Sequence, residues 1–473
     1  MAIRFSPRRA GAVVAGKIAG RLSRVMERGG GTALPGLLAY ALDKRMVSAL
    51  TTQIPQGSVI VTGTNGKTTT SRMIATILRE AGLNPLHNST GSNLMRGVAT
   101  TLLDRTGISG NLQVGQESIG LFEVDEAVIP LAIREVKPKI VVFNNLFRDQ
   151  LDRYGEVDSI AQKWCESLLD LPGDAKVVLN ADDPLVASLG EVLGDRAIYF
   201  GIDDLAQGTG GLGHAADSKW CPRCRIDFRY SVSFYGHLGH YECPNCGLHR
   251  PRPGIAAELV ASQGFAGSDV RVRTPSGNLT FRVGLPGLYN VYNSLAALAT
   301  SCALGLPLAT AKRALEKVTA AFGRVERVEM DGKSLYLLLV KNPLGCNEVL
   351  RALFADGQAK DIMLILNDKI ADGRDVSWIW DVDFERMAGN VNSVVASGVR
   401  AADLALRLKY AGLFEDQPQM LLVEKNIERA LRLALDRVVP GGTLFVLPTY
   451  TSMLEIRSLL AKTGFLMQYW EQE

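Results

Sequence analysis

The sequence predicts an α/β protein of more than one domain, and three observations carry that prediction. β-Branched runs alternate with helical stretches, a glycine-rich loop joins one such pair, and two Cys-x-x-Cys knuckles interrupt the alternation. Ser58–Thr62, Lys139–Phe143, Lys176–Leu179 and Ile362–Leu366 read as buried strands. Each is followed by a helical stretch, so a mostly parallel sheet is expected. At 473 residues the chain exceeds one hydrophobic core, which implies two or three domains. The spacing places a basic helical segment at 1–48, a central domain at 49–320 with an insert at roughly 205–254, and a smaller α/β domain at 321–473.

Charge narrows the function classes. A net charge of +3 argues neither for a nucleic-acid binder nor for an acidic tail. The first fifty residues are the exception, with nine Lys or Arg against two acids, Glu27 and Asp43. Ala10–Ala15 is too short for a secretion signal, and Lys17 interrupts it. The segment therefore reads as a solvated helix packed on the body, or as a basic helix on an anionic membrane face. Nowhere do eighteen apolar residues run together. A cytoplasmic protein is expected, with peripheral attachment to the inner membrane face as the second reading.

The loop Gly63-Thr64-Asn65-Gly66-Lys67-Thr68-Thr69 follows a strand and precedes apolar Met73, Ile74, Ile77 and Leu78 at helical spacing. That context suits phosphate binding. Glycines let the backbone approach, amides and the helix dipole favour anions, and Lys67 reaches terminal phosphates. Thr68 would offer its hydroxyl to Mg²⁺. Val61 stands where the strict pattern wants glycine, so the loop is a variant.

The knuckles Cys221-Pro-Arg-Cys224 and Cys243-Pro-Asn-Cys246 have the spacing of a closed, structural zinc site with four thiolates. Phe228, Tyr230, Phe234, Tyr235 and Tyr241 lie between or beside them and read as the insert's small core rather than a stacking platform for bases. Cys165, Cys302 and Cys346 are scattered, as reduced thiols are.

On these residues the sequence resembles the Mur ligase superfamily. Further motifs follow in the family's order: Thr90-Gly-Ser-Asn93, Phe122-Glu123-Val-Asp-Glu126, Asn144–Gly155, Asn180-Ala-Asp-Asp183, Leu285–Asn293 and Phe322-Gly-Arg324-Val-Glu-Arg327. The resemblance implies a P-loop ATPase centre, a zinc-ribbon insert and a Rossmann-like C-terminal domain. It implies ATP contacts from Gly63–Thr69, Asn290 and Arg324, and Mg²⁺ held by Thr68 and Glu123. The implied chemistry is activation of a carboxylate as an acyl phosphate, then attack by a nitrogen nucleophile.

Departures choose the branch. Gln150 stands where amino-acid-adding members carry a histidine, and their carbamylated-lysine segment is missing. Lys341–Asn347, Asn367–Asp383, Ser397–Arg400, Arg407–Gly412 and Leu447–Met453 instead resemble the amidating branch, whose ligase subunit pairs with a glutamine amidotransferase. That implies a heterodimer acting on lipid II at the inner membrane face, with ammonia converting a D-glutamate α-carboxylate to D-isoglutamine. No cysteine sits in a strand-turn-helix elbow with a paired histidine, so no glutaminase site is visible in this chain. One of Asp375, Asp372 and Asp381 is expected to complete the partner's Cys-His pair. The plainer reading makes Asp381 or Asp383 a helix cap before Phe384–Met387. A ligase that adds an amino acid, and a non-catalytic zinc-ribbon binding module, stand as alternatives.

Overall fold

A computed structural model describes residues 6–25, 34–88, 93–148, 157–208, 217–318, 325–354, 356–414 and 418–464. It forms two compact units. The first comprises Met1–Ala261, Ser268–Gly284 and Leu288–Val318, and the second is built mainly from Thr319–Glu473.

The first unit opens with three helices: α1 (Pro7–Val25), α2 (Leu34–Leu42) and α3 (Met46–Thr51). Its sheet then alternates with helices: β1 (Ser58–Thr62), α4 (Lys67–Glu80), β2 (Asn84–His87), α5 (Met95–Asp104), β3 (Ser118–Glu123), α6 (Ile129–Val136), β4 (Ile140–Phe143), α7 (Val157–Ser167), β5 (Lys176–Asn180), the short α8 (Pro184–Ser188) and β6 (Ala197–Ile202). A hairpin, β7 (Arg229–Tyr235) and β8 (Leu238–Glu242), lies in the cysteine insert. β9 (Ile255–Ser262), β10 (Ser268–Thr274), β11 (Gly277–Val283), α9 (Leu288–Ala303) and α10 (Leu308–Glu316) complete the unit.

The nine strands order as β11-β10-β9-β6-β5-β4-β1-β3-β2. The neighbouring strands from β2 to β6 pair in parallel, and β10 with β11 is antiparallel. Burial on both faces explains the unbroken β-branched runs. Ile60, Phe122, Val141, Phe143, Val177 and Leu179 pack with Trp164 of α7 in one core. β1 lies between β3 and β4, where the chain order reverses, and the carboxyl ends of strands at such a point form a natural ligand crevice. The glycine loop follows β1. Helix α4 begins at Lys67, ahead of the apolar pattern that starts at Met73, because its polar first turn carries no periodicity.

The insert joins β6 to β9, which are parallel neighbours in register from Phe200 with Ile255 to Ile202 with Ala257. It is therefore the crossover connection between adjacent strands of the sheet.

The second unit contains β12 (Val325–Met330), β13 (Lys333–Leu338), α11 (Pro343–Leu353), β14 (Lys360–Ile365), β15 (Val391–Ser397), α12 (Ala401–Tyr410), β16 (Leu421–Glu424), α13 (Ile427–Arg437), β17 (Thr443–Pro448) and α14 (Tyr450–Lys462). Its strands order as β12-β13-β17-β14-β15-β16, parallel except for the β12–β13 hairpin. One core holds Leu350, Ile362, Phe384 and Leu447, and another holds Met363, Val395, Leu431 and Ile456.

Candidate nucleotide site and cysteine centre

The loop between β1 and α4 is shaped by its glycines. Gly63 and Gly66 have φ of 135° and 83°, a region that side chains disfavour. A Cβ at Gly66 would lie 2.0 Å from Asn293 Oδ1, so α9 closes against this turn. The start of α4 has no side-chain cap, and its first-turn amides lack acceptors inside the helix. They and the helix dipole make an anion-favouring end.

Lys67 is buried at the base of the loop. Its Nζ donates to Gly63 O at 2.6 Å and pairs with Glu126 Oε2 at 3.0 Å. Thr68 Oγ1 donates to Glu123 Oε1 at 3.0 Å, and Glu123 is fixed in turn by reciprocal 2.8 Å bonds between its backbone and the Asn88 side chain. A hydroxyl and a buried carboxylate thus stand together beside the loop. This hard oxygen pair suits Mg²⁺, which takes one or two protein oxygens and keeps the rest for phosphate and water. Asp125, two residues on, is buried, receives Asn93 Nδ2 at 3.3 Å through Oδ2, and finds no hydrogen-bond partner for Oδ1 among the described residues. A buried carboxylate oxygen of this kind matches a missing cation or donor.

Asparagines brace the loop from below. Asn145 Oδ1 accepts from Asn65 N at 2.8 Å. Asn144 Nδ2 donates to Thr70 Oγ1 at 2.9 Å, Thr70 Oγ1 to Asn293 Oδ1 at 3.2 Å, and Asn293 Nδ2 to Asn290 Oδ1 at 3.1 Å. Asn290 therefore meets the loop through Asn293. Asp183 accepts from Leu146 N at 2.8 Å and caps α8 by accepting from Leu185 N at 3.0 Å.

The structure thus gathers Gly63–Thr69, Glu123 and Asn290 around one loop. Thr90–Ser92, Gln150 and Arg324 lie outside the described residues. Glu126, Asn88 and Asn293 were not assigned roles from sequence. Glu126 and Asn293 stand inside motifs shared with the ligases, but which acid faces Lys67 depends on how the chain turns after β3.

In the insert, the Sγ atoms of Cys221, Cys224, Cys243 and Cys246 all lie within 4.8 Å of one another. Cys221 and Cys246 are 3.5 Å apart, and Cys224 and Cys243 3.4 Å. A tetrahedral zinc with Zn–S of about 2.3 Å needs sulfurs nearly this close. The N–H of Ile226 and the Asn245 side chain draw the Cys224 thiol's pKa down, while burial pushes that of Cys221 up. Phe228 and Tyr241 share a core with Cys221, Cys243 and Ala187 of α8. The insert also grips the Asn180–Asp183 turn. Gly239 N donates to Asp182 O at 2.9 Å, Arg250 pairs with Asp182 at 2.5 Å, and buried His237 lies 3.4 Å from Asp183 and against Phe147.

The C-terminal aspartates separate by environment. Asp372 is buried and bound to Thr451, accepting from its N at 2.7 Å and its Oγ1 at 2.5 Å. Asp375 is exposed, and the Ser377 side chain, together with the Ser377 N–H that donates at 2.8 Å, lowers its pKa. Asp381 is exposed at the end of a 3₁₀ turn, Ser377–Asp381. Asp383 precedes the 3₁₀ turn Phe384–Met387 but makes no side-chain cap, which corrects the capping expectation; its backbone N–H binds Asn347 instead. Burial pushes Cys346 up to about 12, so it is no nucleophile in this setting.

Comparison with known proteins covers most of the chain. The Mur ligase middle domain profile matches residues 61–219, and the MurT ligase C-terminal profile matches 339–453. The chain is 33% identical over 450 residues to the lipid II isoglutaminyl synthase (glutamine-hydrolyzing) subunit MurT of Streptococcus pneumoniae, covering 94% of this chain and 96% of that one. The Staphylococcus aureus counterpart is 32% identical, covering 92% and 94%. Among solved structures, MurF from Acinetobacter baumannii superposes with a TM-score of 0.65 at 19% identity, covering 91% of this chain and 80% of that one. A pseudomurein peptide ligase type C from Methanothermus fervidus gives 0.64 at 21%, covering 86% and 79%. These two show the shared fold.

Proposed function

The chain belongs to the MurT family of Mur-type ligase subunits, and from that premise we propose that it amidates the D-glutamate α-carboxylate of the lipid II peptide. The substrate carboxylate oxygen attacks the γ-phosphorus of ATP, and ADP departs. Ammonia then attacks the acyl carbon, phosphate leaves with the carboxylate oxygen, and a proton lost from nitrogen leaves D-isoglutamine. The observation that carries this reading is the buried Lys67 in the glycine loop beside the bonded Thr68–Glu123 pair.

The residues divide the labour by charge. The P-loop amides and Lys67 would take the terminal phosphates, whose oxygens gain charge at transfer. Mg²⁺, held by Thr68 and Glu123, would supply further neutralisation there. Glu126 holds the Lys67 ammonium in register, and Asn290 and Arg324 belong to the nucleotide contacts. Zn²⁺ in the four-thiolate ribbon would be structural.

Nitrogen comes from a GatD-like glutamine amidotransferase subunit in a heterodimer. The inert Cys346 supports an outside source. One of Asp375, Asp372 and Asp381 would complete the partner's Cys-His pair; the exposure of Asp375 and Asp381 supports these two over Asp372, which is bonded to Thr451. The test is mass spectrometry of lipid II after incubation with ATP and ammonium. A loss of about one mass unit reports carboxylate turned to amide. Turnover that requires an amino acid instead of ammonium would favour an amino-acid-adding ligase.

A further inference from the structure

Helices α1 and α2 form an antiparallel pair, with Arg8 Nε donating to Leu42 O at 2.9 Å at one end and Gly20 against Pro35 at the other. Small residues make the inner contacts. A Cβ on Gly16 would meet Pro35 O at 2.9 Å, and one on Gly36 would meet Arg96 O of α5 at 2.1 Å. Pro35, Gly36 and Ala39 are the buried residues of α2. Its large side chains point the other way.

Leu34, Leu37, Leu38 and Leu42 are 51%, 48%, 39% and 44% exposed, at helical spacing along one outward face. α1 adds Val14 and Ile18 at 41% and 53%. A soluble helix normally buries its leucines and exposes its polar side. α2 instead buries only small apolar residues and leaves its leucines outside. Exposed Arg8, Arg21, Lys44 and Arg45, with half-buried Lys17, border the rows, in a stretch of the sequence carrying a balance of +7. Apolar rows edged by cations are the composition of a helix lying in a lipid interface, with leucines among acyl chains and cations at anionic headgroups. Among the described residues no helix is long and apolar enough to cross a membrane, so lying on the surface is the mode that fits.

We infer that the α1–α2 pair docks this protein on an anionic bilayer surface through Leu34, Leu37, Leu38 and Leu42. This goes beyond the amidation reading. It is tested with vesicles that contain no lipid II, so its failure leaves that reading intact.

The experiment is sedimentation of the full chain with vesicles of phosphatidylglycerol and cardiolipin, against phosphatidylcholine alone. Wild type is expected to bind the anionic vesicles and to be released as salt rises. Leu37→Glu/Leu42→Glu should cut binding by about tenfold or more with an unchanged unfolding temperature. Lys44→Glu/Arg45→Glu, which leaves the leucines in place, should weaken binding and flatten its salt dependence. The inference is overturned if wild type ignores anionic vesicles. It falls equally if the leucine variant keeps vesicle binding while losing either self-association in ultracentrifugation or the glutaminase subunit in gel filtration, since the face would then belong to a second copy or to that subunit.

Discussion

Lys67 is held between Gly63 O and the Glu126 carboxylate. Lys67→Ala should lower ATP-dependent amidation by several factors of ten, as loss of a phosphate-neutralising group does. Glu126→Gln keeps the shape but loosens the ammonium. It should lower kcat by up to about a hundredfold, the scale of a misplaced catalytic group, and steady-state ADP release measures both. His87 makes a separate prediction about stability. Burial, with Arg79 nearby, lowers its pKa to about 4 from 6.5. The unfolded chain therefore takes up a proton below pH 6.5, while the folded one resists until about pH 4. Stability falls as pH drops through that window, by roughly 3 kcal/mol. Urea titrations of His87→Asn should show a flatter slope between those limits; an unchanged slope would assign the loss to other groups.

At the scale of elements, the sequence showed the strands and the glycine loop because both leave local marks: β-branched runs and a fixed set of residue types. It also showed by spacing alone that four cysteines would cluster, and their sulfurs do lie together. It did not show what the insert does. That Arg250 reaches Asp182, or that His237 lies under Asp183, depends on pairings between residues more than fifty positions apart. The same holds for Asn293, whose contact with Gly66 and Thr70 spans over two hundred residues. Nor did any pattern separate Asp372 from Asp375. Only the approach of Thr451 does so. Because Cys221 shares a core with Phe228 and Tyr241, Cys221→Ser should lower thermal stability or soluble yield before it affects chemistry. A melting curve with and without a zinc chelator checks this; a variant that melts like wild type yet cannot turn over would place the cysteines in catalysis.

At the scale of the molecule, the fold class and parallel character followed from alternation, while the strand order did not. Nothing local states that β1 would lie between β3 and β4, yet this sets the crevice where the loop sits. An isolated chain is expected to consume ATP with high ammonium and no amino acid, and to gain glutamine-driven turnover only with its partner subunit. Coupled ADP assays distinguish the two conditions.

The crossover between β6 and β9 sets a limit on how far such a protein can be pared down. Two strands that run the same way side by side require the chain to travel back the length of the first before starting the second. Genome reduction, or an engineer seeking a minimal enzyme, could therefore exchange the cysteine-bearing return route for a helix of similar reach but could not simply excise it. A deletion sutured from Ile202 to Ile255 would force the second strand to reverse or leave the sheet, carrying β10 and β11 with it.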